Sequence, residues 1–416
     1  MNKVPRKILV ISPCYPYPPD DGHKVRIWNL LRYLGPEWEF DFLALDDLNL
    51  IEENHELRTR RLGPYCKELI LVDQKSLQPI RLTNWMDRIK NIYYPFEFSL
   101  GIPFYSETLA SIIKSRIESG KYDLVFYNGF YISLHGRPWE SQVPYVVDII
   151  DSFSLLMKTL LKTEKRPQHK LKGVLNYIWA RRYEAVHFSK AKNVIMIAPV
   201  DKAYVERSCP QSKIWVVPNG VDVDFFRPNG TVKPKPNSLL FTGVMSYRPN
   251  EESIVYFIKN VLPLIRKEIP DTSLTIAGKE PSQELQSYVK KIDGIKVTGY
   301  VEDIRPFFNQ SMVYVAPMIS GSGIKNKILE AWAMGNPVVA TTMASQGLNA
   351  INGDNILLAD SPESFANKIV EVFKSTELQS KLRVNSRRTA KAIYSWTTQS
   401  RKLQEVFENV LKKKQT

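Results

Sequence analysis

Short apolar runs rich in β-branched residues recur along the whole chain, and segments with a helical spacing of apolar residues separate them. Strands that alternate with helical segments are typical of parallel sheets with crossover helices, so this pattern predicts an α/β protein. The clearest helical segments cover residues 251–267 and 362–373. The predicted strands are KILVIS, FDFLAL, ELILV, DLVFYN, YVVDII and VIMIA in the first half, and LLFTG, SLTIAG, IKVTGY, MVYVAP, PVVAT and NILLA in the second.

A segment rich in proline and turn residues, residues 209–236, lies between the two halves. Proline fixes φ and lacks an amide hydrogen, so such a segment resists regular structure and is typical of a linker. We therefore predict four parts: a first domain at 1–215, a linker at 216–236, a second domain at 237–393 and a last amphipathic helix within 394–416.

The segment 314–346 gives the strongest indication of function. A loop that contains Gly321 and Gly323 joins a strand to a helix predicted over about residues 324–334. Glycines let a backbone come close to a ligand, and the amides at the start of a helix favour an anion. The loop is therefore predicted to bind a phosphate group.

Charged residues at the start of this helix support that interpretation. Lys325 and Lys327 lie in the first turn, where cations are unfavourable unless an anion compensates them. Glu330 follows Lys327 at the i+3 position and can share its face of the helix. A phosphate near the lysines and a carboxylate for ribose hydroxyls describe a nucleotide diphosphate site.

Composition narrows the class of protein only slightly. The chain has 416 residues, 57 Lys and Arg against 43 Asp and Glu, and a formal charge of +14. This length suits two domains, and the charge suits nucleic acid, an anionic membrane surface or phosphate-bearing substrates. No zinc finger, RNA-recognition signature or basic zipper is present in the sequence, so we predict no nucleic acid partner.

The sequence also indicates a cellular compartment. It has no apolar run of about eighteen residues, and its N-terminus is predicted to be a first strand, not a signal peptide. Cys14, Cys66 and Cys209 are few and lack the close spacing of metal ligands. We therefore expect a cytoplasmic protein.

Three motifs carry a resemblance to a known family. Glu330 begins Glu-Ala-Trp-Ala-Met-Gly, VVPNGVDVDFF lies in the predicted linker, and YSW precedes the last helix. In these motifs the chain resembles retaining glycosyltransferases of the GT-B fold, family 4-like (glycosyl transferases group 1). The family's first glutamate is replaced by Ser322, whereas Lys327 matches a sub-group with G-x-G-x-x-x-K. This departure concerns how the donor sugar hydroxyls are held.

The resemblance implies a fold and an activity. The fold is two Rossmann-like domains facing a cleft, with the C-terminal helix crossing back to the first domain. The first domain would bind the acceptor, and the second a UDP- or GDP-linked sugar. A retaining, metal-independent transfer to a hydroxyl of a glycan or lipid-linked acceptor would follow, with no cofactor. The Asp222-x-Asp224 triplet lies in the linker motif and is predicted to be structural.

The donor-binding candidates follow from the phosphate-site pattern and the resemblance together. Gly22 and Tyr300 each have a second interpretation, as part of an ordinary turn after a strand. Arg248 replaces an arginine that the family places after Gly243, but a surface arginine explains it equally well. The candidates are Gly22, Gly243, Arg248, Lys279, Tyr300, Val301, Gly321, Ser322, Gly323, Ile324, Lys325, Lys327 and Glu330.

The catalytic candidates are Lys327, Arg248 and Asp151. Lys327 and Arg248 would stabilise the departing diphosphate. Asp151, with Asp148, follows a strand where the family often has a histidine, and a helix cap is the alternative. His23 and His135 are predicted to be surface residues of loops.

A basic stretch with interspersed apolar residues runs from Lys158 to Arg182. It would suit peripheral contact with the cytoplasmic membrane face, and an amphipathic helix with a solvated basic face is the alternative. An aromatic-rich region would line the acceptor cleft or simply pack. Its members are Trp85, Tyr93, Tyr94, Phe96, Phe98 and Phe104.

Two other classes of function compete with a transferase. A catalytically silent GT-B-like protein that binds a nucleotide or glycan would explain the absence of the first glutamate and of the family arginine. A nicotinamide-dependent oxidoreductase would need G-x-G-x-x-G after the first strand, where this chain has prolines and only Gly22.

Overall fold

The structure is a computed structural model that describes residues 4–19, 21–46, 55–76, 78–79, 104–136, 142–163, 166–188, 191–321 and 323–412. The chain divides into two compact units. Unit 1 comprises Met1–Pro218 and Gln399–Thr416, and unit 2 comprises Asn219–Thr398. The aromatic residues predicted at 85–98 lie outside the described residues, as does the side chain of Phe104.

Unit 1 contains a seven-stranded parallel sheet in the order β3-β2-β1-β6-β7-β8-β9. Its strands are β1 Arg6–Ser12, β2 Trp38–Asp46, β3 Cys66–Asp73, β6 Leu124–Asn128, β7 Tyr145–Ile150, β8 Asn193–Met196 and β9 Lys213–Val216; a separate two-stranded sheet pairs β4 Gln78–Pro79 with β5 Phe104–Tyr105. The helices are α1 Gly22–Arg32, α2 His55–Arg61, α3 Glu107–Glu118, α4 Phe130–Ser133, α5 Phe153–Thr163, α6 Pro167–Phe188 and α7 Pro199–Glu206. Strand β1 is buried on both faces, which explains its continuous apolar run.

Unit 2 contains a second parallel sheet, with six strands in the order β12-β11-β10-β13-β14-β15. The strands are β10 Ser238–Thr242, β11 Ser273–Ala277, β12 Ile295–Val297, β13 Val313–Ala316, β14 Val338–Ala340 and β15 Leu357–Leu358. The helices are α8 Arg248–Asn260, α9 Leu262–Glu268, α10 Gln283–Val289, α11 Arg305–Gln310, α12 Asn326–Ala333, α13 Pro362–Lys374 and α14 Thr376–Tyr394. The predicted α/β class with parallel sheets is confirmed.

The last helix, α15 (Trp396–Lys412), begins at the end of unit 2, and its residues from Gln399 onward belong to unit 1. Phe407 lies on the apolar face of this helix. Its ring centroid is 5.5 Å from that of Trp38 and 5.3 Å from that of Phe126. Edge-to-face aromatic contacts of this kind add to area burial, so they stabilise the helix against the first sheet.

Two local predictions were wrong. The helix predicted over 251–267 is two helices, α8 and α9, because Pro263 lacks the amide hydrogen that a continuous helix would need there. Strand β9 was missed, because its four residues lie among the prolines and turn residues of segment 209–236. Among the described residues, no helix has both the length and the apolar character to cross a bilayer.

Candidate nucleotide site

The carboxyl ends of β10 and β11 come into direct backbone contact in unit 2. Gly243 follows β10 and Gly278 follows β11, with φ angles of +154° and +150°. A Cβ atom on Gly278 would lie 1.9 Å from the carbonyl oxygen of Gly243, so only glycine fits there. The amide of Met245 donates to the carbonyl of Lys279 at 2.9 Å and holds the two loops together. This edge of an open α/β sheet is where ligands bind.

Lys327 extends from helix α12 to the same edge. Its Nζ donates to Oδ1 of Asn250 at 2.6 Å and lies 4.5 Å from the centroid of the Phe241 ring. A Cβ atom on Gly243 would lie only 2.9 Å from this nitrogen. Asn250 is held in turn, because its Nδ2 donates to the carbonyl of Val244 at 2.8 Å. The ammonium is therefore fixed against the glycine loop after β10.

Burial changes the protonation of this lysine and of its neighbour Glu330. The pKa of Lys327 is lowered to about 7, mainly by desolvation and also by nearby Lys325, while Glu330 opposes the change. Desolvation raises the pKa of Glu330 to about 7, and Lys327 opposes this. Two neighbouring groups with pKa values shifted this far, beside a glycine loop at a sheet edge, mark a candidate functional site. A bound anion would return Lys327 to its charged form.

The glycine loop before α12 brings a second lysine close. Gly321 and Gly323 have φ angles of +101° and +72°. A Cβ atom on Gly321 would lie 3.4 Å from Nζ of Lys325 and 3.5 Å from the hydroxyl of Tyr247. Lys325 is the N-cap residue of α12, one residue after the buried Ile324. The structure thus brings the predicted residues Gly243 and Lys327 and the Gly321 loop together. Ser322 lies outside the described residues.

Arg248 and Lys279 occupy the margin of this group. Arg248 is the first residue of α8, its side chain is 78% exposed, and its Nε donates to Glu252 at 2.6 Å. It lines a cavity of about 430 Å³ with Glu251 and Ser282. Lys279 follows Gly278 and is half-buried. The structure therefore fixes Lys327 against the glycine loop, whereas Arg248 is exposed and paired with Glu252.

Tyr300 and Val301 follow β12 and lie next along the same sheet edge. Tyr300 is 75% exposed, and Gly299 before it has a φ of +70°. The hydroxyl of Thr298 accepts from the amide of Gly278 at 3.4 Å and donates to the carbonyl of Gly299 at 2.8 Å. The predicted base-site residues are thus connected to the loop that contacts Gly243.

In unit 1, Gly22 is the first residue of α1, and a Cβ atom there would meet nothing within 4 Å. The nearby amides are already engaged, because Oδ1 of Asp21 accepts from His23 at 2.8 Å and from Lys24 at 2.9 Å. This cap places a carboxylate where the prediction needs an anion, so an incoming phosphate would have to displace Asp21. His23, predicted to be in a loop, lies in α1, with Nε2 3.2 Å from Nδ2 of Asn128.

Asp151 stands at the carboxyl end of β7, directly after Ile150, whose φ of +73° is strained for a β-branched residue. The hydrogen bond that caps the following helix is made by the neighbouring residue Ser152, whose Oγ accepts from the amide of Leu155 at 3.2 Å. Asp148 is buried, and its carboxylate pairs with Arg26 at 2.7 Å. Asp151 therefore stays a candidate, whereas Asp148 is engaged in holding α1 to the sheet.

Three residues of these regions were not predicted. Asn250 holds Lys327, Asn128 contacts His23, and buried Glu184 accepts from the amide of Ser154 at 3.0 Å. None has a sequence signal of its own, since each acts through a partner distant in the chain. His135 was predicted to be on the surface, and this was wrong. It is buried and accepts from the amide of Ser106 at 3.1 Å.

Replacing Asn250 by alanine should lower turnover by about tenfold or more, because the Lys327 ammonium loses the hydrogen bond that orients it. Steady-state kinetics with the predicted nucleotide-sugar donor measures this. Asn260→Ala is a matched control in the same helix, since the exposed Asn260 amide donates to the carbonyl of Tyr256 within that helix. Equal activities of the two variants would contradict the positioning role of Asn250.

The comparisons with known proteins first identify the fold. The structure aligns with sucrose-phosphate synthase from Thermosynechococcus elongatus at a TM-score of 0.67 and 17% identity, over 97% of this chain and 99% of that one. HepE from Anabaena, in complex with UDP, aligns at a TM-score of 0.63 and 14% identity, over 97% and 100%. The chain has the GT-B fold of these proteins.

The family follows from the sequence of the second unit. Residues 236–375 match the family described as Glycosyl transferases group 1. The predicted resemblance to this family is confirmed for that segment of the chain. A UDP-Gal:alpha-D-GlcNAc-diphosphoundecaprenol alpha-1,3-galactosyltransferase from Escherichia coli is 27% identical over 277 residues, 62% of this chain and 65% of that protein. The matched segments span 45–65% of the curated relatives' own lengths.

Proposed function

We propose that the protein is a retaining, metal-independent glycosyltransferase. It moves a sugar from a UDP- or GDP-linked donor to a hydroxyl of a glycan or lipid-linked acceptor in polysaccharide or glycoconjugate synthesis. The observation that carries this proposal is the position of Lys327, fixed by Asn250 against the glycine loop after β10. The family match, and the nucleotide sugar in the name of the Escherichia coli relative, support the same class of donor.

The proposed chemistry is the cleavage of the bond between the anomeric carbon and the diphosphate. The acceptor hydroxyl attacks from the face that the diphosphate leaves, and the departing oxygen takes up the hydroxyl proton, so configuration is retained. The diphosphate gains the largest charge in the transition state. The Lys327 and Lys325 ammonium groups and the N-terminus of α12 stabilise that charge. A metal is then not required.

Other candidates have supporting roles in this proposal. Glu330 accepts from the ribose hydroxyls, and the backbone at Tyr300 and Val301 contacts the base. Arg248 would leave its pairing with Glu252 and join the diphosphate when donor binds. Asp151 stabilises the positive charge that develops at the anomeric carbon. The protein acts in the cytoplasm, on the cytoplasmic membrane face when the acceptor is lipid-linked.

The runner-up function is a silent GT-B-like protein that binds a nucleotide or glycan. The observation that favours it is the carboxylate of Asp21 at the start of α1, where the resemblance would place a phosphate. Such a protein would bind donor without releasing nucleotide or forming product.

Thermal denaturation with UDP, GDP, ADP and NAD at matched millimolar concentrations tests the proposal first. A ligand that binds only the native state raises the free energy of unfolding by about 2.7 kcal/mol at a hundredfold excess over its Kd. We expect UDP or GDP alone to raise Tm. Stabilisation by NAD alone, or by no nucleotide, would contradict the donor site. If the protein binds the nucleotide but releases none from the matching sugar donor, the result would support the catalytically silent protein instead.

A further inference from the structure

Helix α6 exposes a continuous apolar stripe. Leu171, Val174, Leu175 and Ile178 recur at the i, i+3, i+4 and i+7 positions, so they lie on one face of the helix. Their exposed fractions are 66%, 39%, 42% and 50%. We call these four residues the α6 stripe. An amphipathic helix of a globular domain normally turns such a face toward the core, and this one turns it outward.

The opposite face of α6 explains why the stripe points outward. Gly173 packs so closely on α5 that a Cβ atom there would lie 2.7 Å from Cδ2 of Leu161. The hydroxyl of Tyr177 lies 3.0 Å from that of Tyr204. Buried Glu184 accepts from the hydroxyl of Ser152 at 3.0 Å. The helix is thus fixed to its unit through this inner face, and the stripe is left on the surface.

Among the described residues of α5 and α6, the exposed charged side chains near the stripe are of one sign. Helix α6 has a single acid in its sequence, Glu184, and that carboxylate is buried on the inner face. The exposed charged residues of the helix are all basic: Lys170, Lys172, Arg181 and Arg182. Lys158 of α5 and Arg166 between the helices are exposed as well. The surface therefore combines apolar side chains with an excess of positive charge.

We propose that the α6 stripe and its flanking basic residues dock this protein onto an anionic lipid bilayer. Helix α6 lies parallel to the surface, with the stripe in the acyl boundary and the basic side chains at the phosphate groups. An exposed apolar helix face could also bind a second copy of the chain. It would bring two strongly basic surfaces together, and like charges oppose that association.

Sedimentation with vesicles of phosphatidylglycerol and phosphatidylcholine tests this proposal on the full chain. We expect binding to vesicles with a third of anionic lipid, weaker binding in 0.5 M salt, and no binding to pure phosphatidylcholine. Each basic residue near the surface is worth about a fivefold change in partitioning, so Lys170→Gln with Lys172→Gln should weaken binding about 30-fold. Leu171→Ser with Leu175→Ser should reduce it as well, at unchanged charge.

Lys121→Gln with Lys192→Gln is the matched control, because both lysines are exposed in unit 1 outside α5 and α6. This control should bind vesicles like the unchanged protein, and all variants should keep its Tm, since every altered side chain is exposed. Equal loss in the control and in the α6 variants would overturn the proposal. A dimer in solution that the Leu171 and Leu175 substitutions dissociate would overturn it too. UDP binding provides a separate readout, because Lys327 lies in unit 2.

Discussion

Replacing Lys327 by alanine should lower turnover about 100-fold or more, which is the usual effect of removing one preorganised electrostatic group from a transition state. The physical reason is the position of its ammonium, 2.6 Å from Asn250 and against the glycine loop after β10. Burial lowers the pKa of this lysine to about 7, and the negative charge of a bound diphosphate would raise that pKa and favour the ammonium form. The leaving group therefore develops its charge against a cation that is already in place. Single-turnover kinetics with saturating donor measures the loss.

Three further variants separate charge from general damage. Lys327→Arg keeps a cation and should recover part of the activity. Lys279→Ala and Arg248→Ala remove cations at the margin of the same sheet edge and should cost less than Lys327→Ala. A loss below about threefold for Lys327→Ala, together with a large loss for Arg248→Ala, would move the leaving-group role to Arg248. That result would mean that the Arg248 side chain leaves its pairing with Glu252 and binds the donor diphosphate.

The fold was predictable because its signals are local. Each buried parallel strand leaves a short apolar run, such as KILVIS for β1, and each crossover helix leaves a helical spacing of apolar residues. Predictions failed where the residues adjacent in sequence indicate a different secondary structure from the one that tertiary contacts impose. Strand β9 was missed because prolines and turn residues surround it, whereas pairing with β8 makes it a strand. Tertiary pairing decides such a segment, and one sequence does not contain the pairing.

The site was predictable in part for the same reason. Gly321, Gly323, Lys325, Lys327 and Glu330 lie within one loop and helix, so their proximity follows from sequence spacing. The contact of Lys327 with Asn250 joins residues 77 positions apart, and no local pattern contains it. The same holds for Asp21 at the start of α1, because capping by a carboxylate is a matter of side-chain geometry. Sequence thus gives the residues of each loop, and the structure gives the contacts between loops.

Replacing Glu330 by alanine should weaken binding of the nucleotide by about 1.5–3 kcal/mol, the scale of a charged hydrogen bond. This corresponds to an increase of about 10- to 150-fold in Kd. The ribose hydroxyls are the proposed donors to this carboxylate, so Glu330→Gln, which keeps one acceptor oxygen, should lose less. Isothermal titration of UDP or GDP into both variants measures the two effects. Unchanged affinity in Glu330→Ala would remove the ribose assignment.

Glu330 also acts on Lys327, because its charge raises the pKa of that lysine toward the ordinary value. Removal of Glu330 would leave Lys327 more often neutral near pH 7, and diphosphate binding would weaken for that reason alone. Nucleotides that lack the 2′- or 3′-hydroxyl separate the two causes, as in a double-mutant cycle. If Glu330 binds the ribose, Glu330→Ala should cost less affinity for the deoxy nucleotide that lacks its partner hydroxyl than for the complete nucleotide. A loss of the same size for the 2′-deoxy, 3′-deoxy and complete nucleotides would instead assign the whole effect to the charge state of Lys327.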